Sequence, residues 1–158
     1  MGIDAYIALG SNLGDRHANI QGGLDAIALL PSTTVVQCST IIETDPIGPG
    51  DQGCYLNGAV HIETELEPRV LLDSLLKIEA RFGRDREKEI RWGARTLDLD
   101  VLVYGDLVID EPGLEIPHPR LHTRSFVLIP MAEIASNLIL PRYKKTPQVL
   151  LEVLESLS

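Results

Sequence analysis

The chain has 158 residues, 44% apolar and 23% charged, which is ordinary globular composition and enough chain to bury a core without staples. No apolar run approaches the roughly 20 residues a membrane helix needs, and no basic, apolar leader opens the sequence. A net charge of −9 with only 1 Trp, 4 Tyr and 2 Phe argues against binding nucleic acid, which wants surplus cations and stacking aromatics. Two cysteines, Cys38 and Cys54, make neither a disulfide scaffold nor a zinc knuckle, so the expectation is a soluble protein of the cytoplasm.

No internal repeat or linker divides the chain, and a single domain over 1–158 is expected. A short apolar run over 5–9 predicts a first strand, stopped by Gly10-Ser11-Asn12. Apolar residues Ile20, Leu24, Ile27 and Leu30 keep helical spacing over 15–30, with Asp15 or Asn12 as cap and Pro31 as stop. The β-branched stretch 33–44 reads as one strand, and a Pro/Gly-rich loop then leads to a third strand over 55–65. Pro68 opens a second helix with Val70, Leu71, Leu75, Ile78 and Phe82 on its stripe, ended by Gly83. A fourth strand is predicted over 97–104, with 107–109 as a short partner, and two further helices over 125–135 and 147–157. Strand, helix, strand, strand, helix, strand is the order of an α+β, ferredoxin-like split βαβ sandwich with an antiparallel sheet, to which the C-terminal helices are additions.

Charge is concentrated rather than spread. Arg81, Arg84, Arg86, Lys88, Arg91 and Arg95 fall within one stretch of an acidic chain, with Arg120 and Arg124 further on. Such a run is either a solvated face or a local anion site for a small polyphosphate. The stretch that decides between them is Arg91-Trp92-Gly93-Ala94-Arg95-Thr96-Leu97-Asp98-Leu99-Asp100-Val101. On a strand, Leu97, Leu99, Val101 and Val103 face the core, which puts Asp98 and Asp100 together on the opposite face. Paired carboxylates repel unless a cation relieves them, and beside arginines they suit Mg²⁺ shared with phosphate oxygens.

The remaining signals are weaker on their own. Gly10-Ser11-Asn12-Leu13-Gly14-Asp15 lacks the spacing of a Walker A or dinucleotide turn and reads as a strand-to-helix turn. Tyr55 and Asn57 lie two apart and point the same way, an aromatic face beside an amide, which fits a flat polar heterocycle or simply a rigid hairpin. His118 and His122 lack a third ligand at zinc spacing; His118 with its neighbouring arginines fits a nucleotide better.

Together, the segments 6–12, 44–57, 91–100 and 117–126 resemble the 6-hydroxymethyl-7,8-dihydropterin pyrophosphokinases of folate biosynthesis, in order and spacing. The resemblance implies transfer of the terminal diphosphate of ATP to the hydroxymethyl oxygen of the pterin, by a monomer using two Mg²⁺ ions. It further implies Asp98 and Asp100 as metal ligands, with Asp98 also at the substrate, and Thr44, Ile47, Tyr55, Asn57 and Phe126 as the pterin pocket. Leu76, Glu79, Arg95, Val101, His118 and Arg124 fall where the family holds ATP. Arg84, Arg86, Trp92 and Arg95 fall in its mobile catalytic loop or beside it. Ala94 and Pro119 are given no contact, and no residue stands out as a general base. A metal-dependent phosphohydrolase and a ferredoxin-like nucleic-acid module are the alternatives; the acidic, aromatic-poor composition disfavours the second.

Overall fold

The computed structural model describes residues 2–45, 54–83 and 96–157. Its elements run β1 (Ile3–Ser11), α1 (Arg16–Ala28), β2 (Thr33–Cys38), β3 (Ile42–Thr44), β4 (Tyr55–Thr64), α2 (Pro68–Arg81), β5 (Asp98–Tyr104), β6 (Ile109–Glu111), β7 (Leu114–Ile116), α3 (Ser125–Ala135) and α4 (Pro147–Ser156). A 3-10 turn, Leu121–Thr123, precedes α3. The main sheet has the order β2-β4-β1-β5, with β3 also paired to β4, and every pairing is antiparallel. This is the ferredoxin-like order expected from the sequence. No helix among the described residues is long and apolar enough to cross a membrane.

Local chemistry explains the helix ends. Asp15 caps α1, its carboxylate accepting from the Ala18 N–H at 3.1 Å. Pro68 occupies the first turn of α2, where a missing N–H costs nothing, and Gly83, at φ +85°, follows its end.

Alternation along the strands sorts side chains onto two faces. Ala5, Ile7 and Leu9 of β1, Val60 and Ile62 of β4, and Leu97, Leu99 and Val101 pack with Ile27 of α1 and Leu71, Leu75 and Ile78 of α2. On the other face Tyr6 and Ala59 pack against Leu128 and Met131 of α3 and Leu150 and Leu151 of α4. The C-terminal helices therefore cover the second face of the sheet.

Five predicted details change. The first strand is not stopped at Gly10 but runs on to Ser11, because Gly10 pairs with both Asn57 and Asp98. Val70 is 47% exposed and lies off the buried stripe of α2. Residues 33–44 form two strands, because the chain kinks at 39–41. Ser39 donates its N–H to the Ala59 carbonyl and accepts from the Ala59 N–H, both at 2.9 Å, and pairing resumes only at Ile42. Val103 lies on the α3 face and not with Leu99. The β1–β5 register shifts between Tyr6 and Ile7, so a bulge at Leu102 reverses the alternation and puts Tyr104 on the α1–α2 side. The stretch 107–109 does not pair with β5: the Tyr104–Leu107 turn leads the chain off the sheet, and Ile109–Glu111 pairs with β7 in a separate hairpin.

Burial predicts the stability response. Ile62 is 0% exposed at the centre of the sheet, whereas Val36 on the outer strand is 48% exposed. Urea unfolding of Ile62→Ala should show a loss of about 2–5 kcal/mol, and Val36→Ala about 0.5 kcal/mol or less.

Candidate active site

One row across the sheet defines the site. Gly10 of β1 is paired on one side with Asn57 of β4 and on the other with Asp98 of β5. The next row on this face, two residues along, is Ala59, Ala8 and Asp100. Because the central strand contributes only Gly10 and Ala8, the amide and the two carboxylates face each other across a floor with almost no side chain. The room at Gly10 is limited in any case. A Cβ there would stand 3.2 Å from Asn57 Oδ1 and 3.7 Å from Tyr55 Cδ1. The Gly10 position carried no signal in the sequence beyond that of a turn; its meaning depends on which strands flank it.

The amide end is held firmly. Asn57 is 8% exposed and donates from Nδ2 to Thr44 Oγ1 at 2.6 Å, across the β3–β4 pairing that also sets Thr44 opposite Tyr55. Arg16, at the start of α1, donates to the Cys54 carbonyl at 2.8 Å and pairs with Glu43 at 3.0 Å. It thereby ties together β3 and the residue that leads into β4. Phe126 lies in the first turn of α3, half-buried, with the Arg124 guanidinium 5.6 Å from its ring centroid.

The carboxylate end continues along the edge of the sheet. Asp98 and Asp100 are half-buried on the outermost strand, on the face opposite Leu97, Leu99 and Val101, as the alternation predicted. Beside them an open cleft of about 220 Å³ is lined by Leu72 of α2, Asp100, Val101, Leu114, Glu115, His118 and Pro119. Leu76, one turn beyond Leu72, is half-buried and does not line it. Leu72, Leu114 and Glu115 carry no signal in the sequence, since they come from a helix and a hairpin whose approach to β5 only the fold reveals, and Pro119, expected to make no contact, also lines the cleft.

His118 N–H donates to the Leu102 carbonyl at 2.9 Å, anchoring this segment at the bulge of β5. Its Nδ1 accepts from the Arg120 N–H at 3.2 Å, which leaves Nε2 to carry the proton. Burial, then the Arg124 guanidinium, lower its pKa from 6.5 to about 4, with Asp98 opposing and Arg120 adding a smaller push. His118 is therefore neutral at pH 7, and the shift shows that Asp98, His118 and Arg124 share one electrostatic environment.

Glu79, on the buried side of α2, holds the strand that carries the two aspartates. It is 1% exposed, and its Oε2 accepts from the Leu99 N–H at 2.7 Å. That carboxylate fixes the strand between the two aspartates instead of lying open at the surface. Ile47, Arg84, Arg86, Trp92 and Arg95 lie outside the described residues.

A sheet face carrying a fixed amide, a cleared floor and two adjacent carboxylates, with a cleft alongside, defines a small-molecule site rather than a polymer-binding surface. Residues 6–136 match the family model for 7,8-dihydro-6-hydroxymethylpterin-pyrophosphokinase. The chain is 45% identical over 145 residues to the 2-amino-4-hydroxy-6-hydroxymethyldihydropteridine pyrophosphokinase of Pseudomonas aeruginosa, covering 92% of this chain and 88% of that one. It is 49% identical over 139 residues to that of Haemophilus influenzae, covering 88% and 86%. Among solved structures, a Plasmodium falciparum HPPK-DHPS superposes with a TM-score of 0.77 at 14% identity. That match covers 99% of this chain but only 46% of the larger one, so it speaks for the fold alone. The chain belongs to the 7,8-dihydro-6-hydroxymethylpterin-pyrophosphokinase family, and with it to the ATP-dependent diphosphotransferases of folate biosynthesis.

Two measurements test this geometry. Glu79→Ala leaves the buried Leu99 N–H without its acceptor and should cost about 1–3 kcal/mol in urea unfolding, with Glu79→Gln, which keeps an acceptor oxygen, recovering part of it. For His118, the folded pKa of about 4 lies below the ordinary 6.5, so the unfolded chain binds the proton first as pH falls. Its contribution to stability is intact above about pH 6.5 and is lost as pH falls toward about 4. The stability of the metal-free protein should therefore drop less across that window in His118→Gln than in the parent.

Proposed function

We propose that the chain transfers the diphosphate of ATP to the hydroxymethyl oxygen of 6-hydroxymethyl-7,8-dihydropterin, with the two substrates laid along the Asn57–Gly10–Asp98 row. The observation that carries this reading is that row. It places a rigid amide and a pair of carboxylates on one face, two strand spacings apart, a span of about 10 Å. A flat bicyclic heterocycle read by Asn57 at one end then directs its exocyclic oxygen towards the carboxylates.

Thr44 sets the plane of the Asn57 amide, Tyr55 and Phe126 supply the aromatic faces, and Ile47 completes the pterin pocket. ATP, the co-substrate, fits with its adenosine in the cleft beside Leu72, Val101 and His118 and its phosphates towards Asp98 and Arg124. Neutral His118 offers a hydrogen bond without adding charge, and Leu76 and Glu79 support the helix and strand that frame the cleft. Arg84, Arg86, Trp92 and Arg95 are assigned to the polyphosphate and to shielding the reaction from water, the competing nucleophile.

Asp98 and Asp100 fit Mg²⁺. They are adjacent, hard oxygen donors, and no cluster of three or more metal-binding side chains occurs among the described residues. A cation that takes one or two carboxylates and completes its shell with phosphate and water oxygens suits that donor set. When bound, two such ions would neutralise charge on the triphosphate as the β-phosphorus is attacked. The chain's own part is to hold the nucleophile and the phosphorus in line and to offer fixed cations, which supply most of the acceleration in phosphoryl transfer. We assign the activity to a cytoplasmic monomer.

The deciding experiment incubates the protein with ATP and Mg²⁺, with and without the hydroxymethyl pterin. AMP formed only with the pterin supports transfer, whereas AMP or phosphate formed without it supports hydrolysis. Asp98→Asn and Asp100→Asn keep shape and drop charge at partly exposed positions. Each should lower turnover about a thousandfold or more at saturating Mg²⁺ while the thermal midpoint moves little.

A further inference from the structure

The kink at 39–41, which splits the predicted second strand, is seated from two directions. From below, Ile41 fills the space over Gly58, where a Cβ would come within 2.5 Å of Ile41 Cδ1. From the side, Glu133 of α3 reaches over. Its carboxylate accepts the Thr40 N–H at 2.9 Å and 3.1 Å and the Thr40 hydroxyl at 3.1 Å. Three residues separate Thr40 from Thr44, the partner that orients Asn57. Phe126 and Glu133 are seven residues apart on α3, two turns along one face.

We propose that Glu133 is a positioning residue for the pterin pocket, locking the helix that carries Phe126 to the strand that carries Thr44. This rests on the reading of the pocket given above. The two walls of that pocket come from separate layers, one from the sheet and one from the helix that covers it. The bidentate contact of Glu133 with Thr40 joins them directly. Both residues are exposed, so water can satisfy Thr40 when the carboxylate is removed and the fold should persist. What is lost is the spacing of the walls, which a ligand gripped between them registers and a ligand bound at β5 does not.

Steady-state kinetics on the full chain, with 6-hydroxymethyl-7,8-dihydropterin and ATP varied separately, tests the idea. Glu133→Ala should raise the KM for the pterin roughly five- to tenfold, with the KM for ATP and kcat within about twofold of the parent. Glu133→Gln, which keeps one acceptor oxygen, should recover part of the loss. Adding Thr40→Val to Glu133→Ala should cost nothing further, because both changes break the same contact. An unchanged pterin KM, or an equal rise for both substrates, overturns the proposal. If Glu133→Ala does not fold, Thr40→Val alone carries the test: a smaller, pterin-selective rise supports it and no rise overturns it. A parent protein that forms no AMP from the two substrates overturns the pyrophosphokinase reading itself, and that result is distinct because it appears before any substitution is made.

Discussion

The register of β1 between β4 and β5 is the constraint on which the rest of the site depends. Asn57, Gly10 and Asp98 form one row only because both pairings place Gly10 opposite its partners. A slip of one residue in either pairing would turn Asn57 or Asp98 to the α1–α2 face. That slip is opposed by the core itself. Ala5, Ile7 and Leu9 would have to exchange places with Tyr6, Ala8 and Gly10, moving apolar bulk out of the α1–α2 layer. The hydrophobic pattern that stabilises the fold is thus the same pattern that aligns amide and carboxylate. The candidate site rides on the alternate positions of strands whose other positions build the core.

Much of this was legible in the sequence, and what was not has identifiable causes. The partnership of Asp98 and Asp100 follows from a period of two and needed no structure. The order of strands and helices followed from turn residues and periodicity. Val103 was misplaced because the bulge at Leu102 breaks that period, and a bulge leaves no mark in local composition. The 33–44 stretch was read as continuous because β-branched residues persist through the kink. The interruption is set by the Ser39–Ala59 contacts, made with a strand some twenty residues away. Glu79 is one polar residue on an amphipathic helix, and nothing in its local sequence marks it as buried. Its burial follows from the approach of α2 to the edge of β5, a tertiary fact. Leu72, Leu114 and Glu115 of the cleft wall are hidden for the same reason, whereas Asp100, Val101 and His118 are not.

The layers above and below the sheet divide the labour of holding the site. Asp15 and Arg16, neighbours at the start of α1, act in different directions: Asp15 caps its own helix, while Arg16 reaches to Glu43 and the Cys54 carbonyl. On the opposite side α3 supplies Phe126, with Arg124 just before it. The sheet between them supplies the amide and the carboxylates. A site on the sheet, walled by α3 and braced from α1, needs ties between layers, because apolar packing is forgiving of small shifts while hydrogen bonds at fixed length are not. Contacts such as Arg16 with Glu43 and the Cys54 carbonyl contribute little to global stability at their exposure, and their value lies in geometry.

The edge of β5 shows how one strand serves both stability and binding. As the outermost strand it turns alternate backbone groups away from β1, and unpaired groups along an edge invite unwanted pairing. The Glu79 carboxylate takes the outward N–H of Leu99, and the His118 N–H takes the carbonyl of Leu102. Between these two points Asp100 and Val101 line the cleft. Antiparallel alternation gives the Val101 N–H the same outward direction as that of Leu99, so the strand brings backbone hydrogen-bonding groups as well as the Asp100 carboxylate to the wall of the cleft. A ligand edge seated there would meet main-chain groups as well as a carboxylate. The buried carboxylate of Glu79, costly in isolation, is matched to a backbone donor at 2.7 Å, and the strand it fixes is the one that carries both Asp98 and Asp100. Edge protection at the two ends and an open, cleft-lining stretch between them are parts of one solution to the same exposed strand.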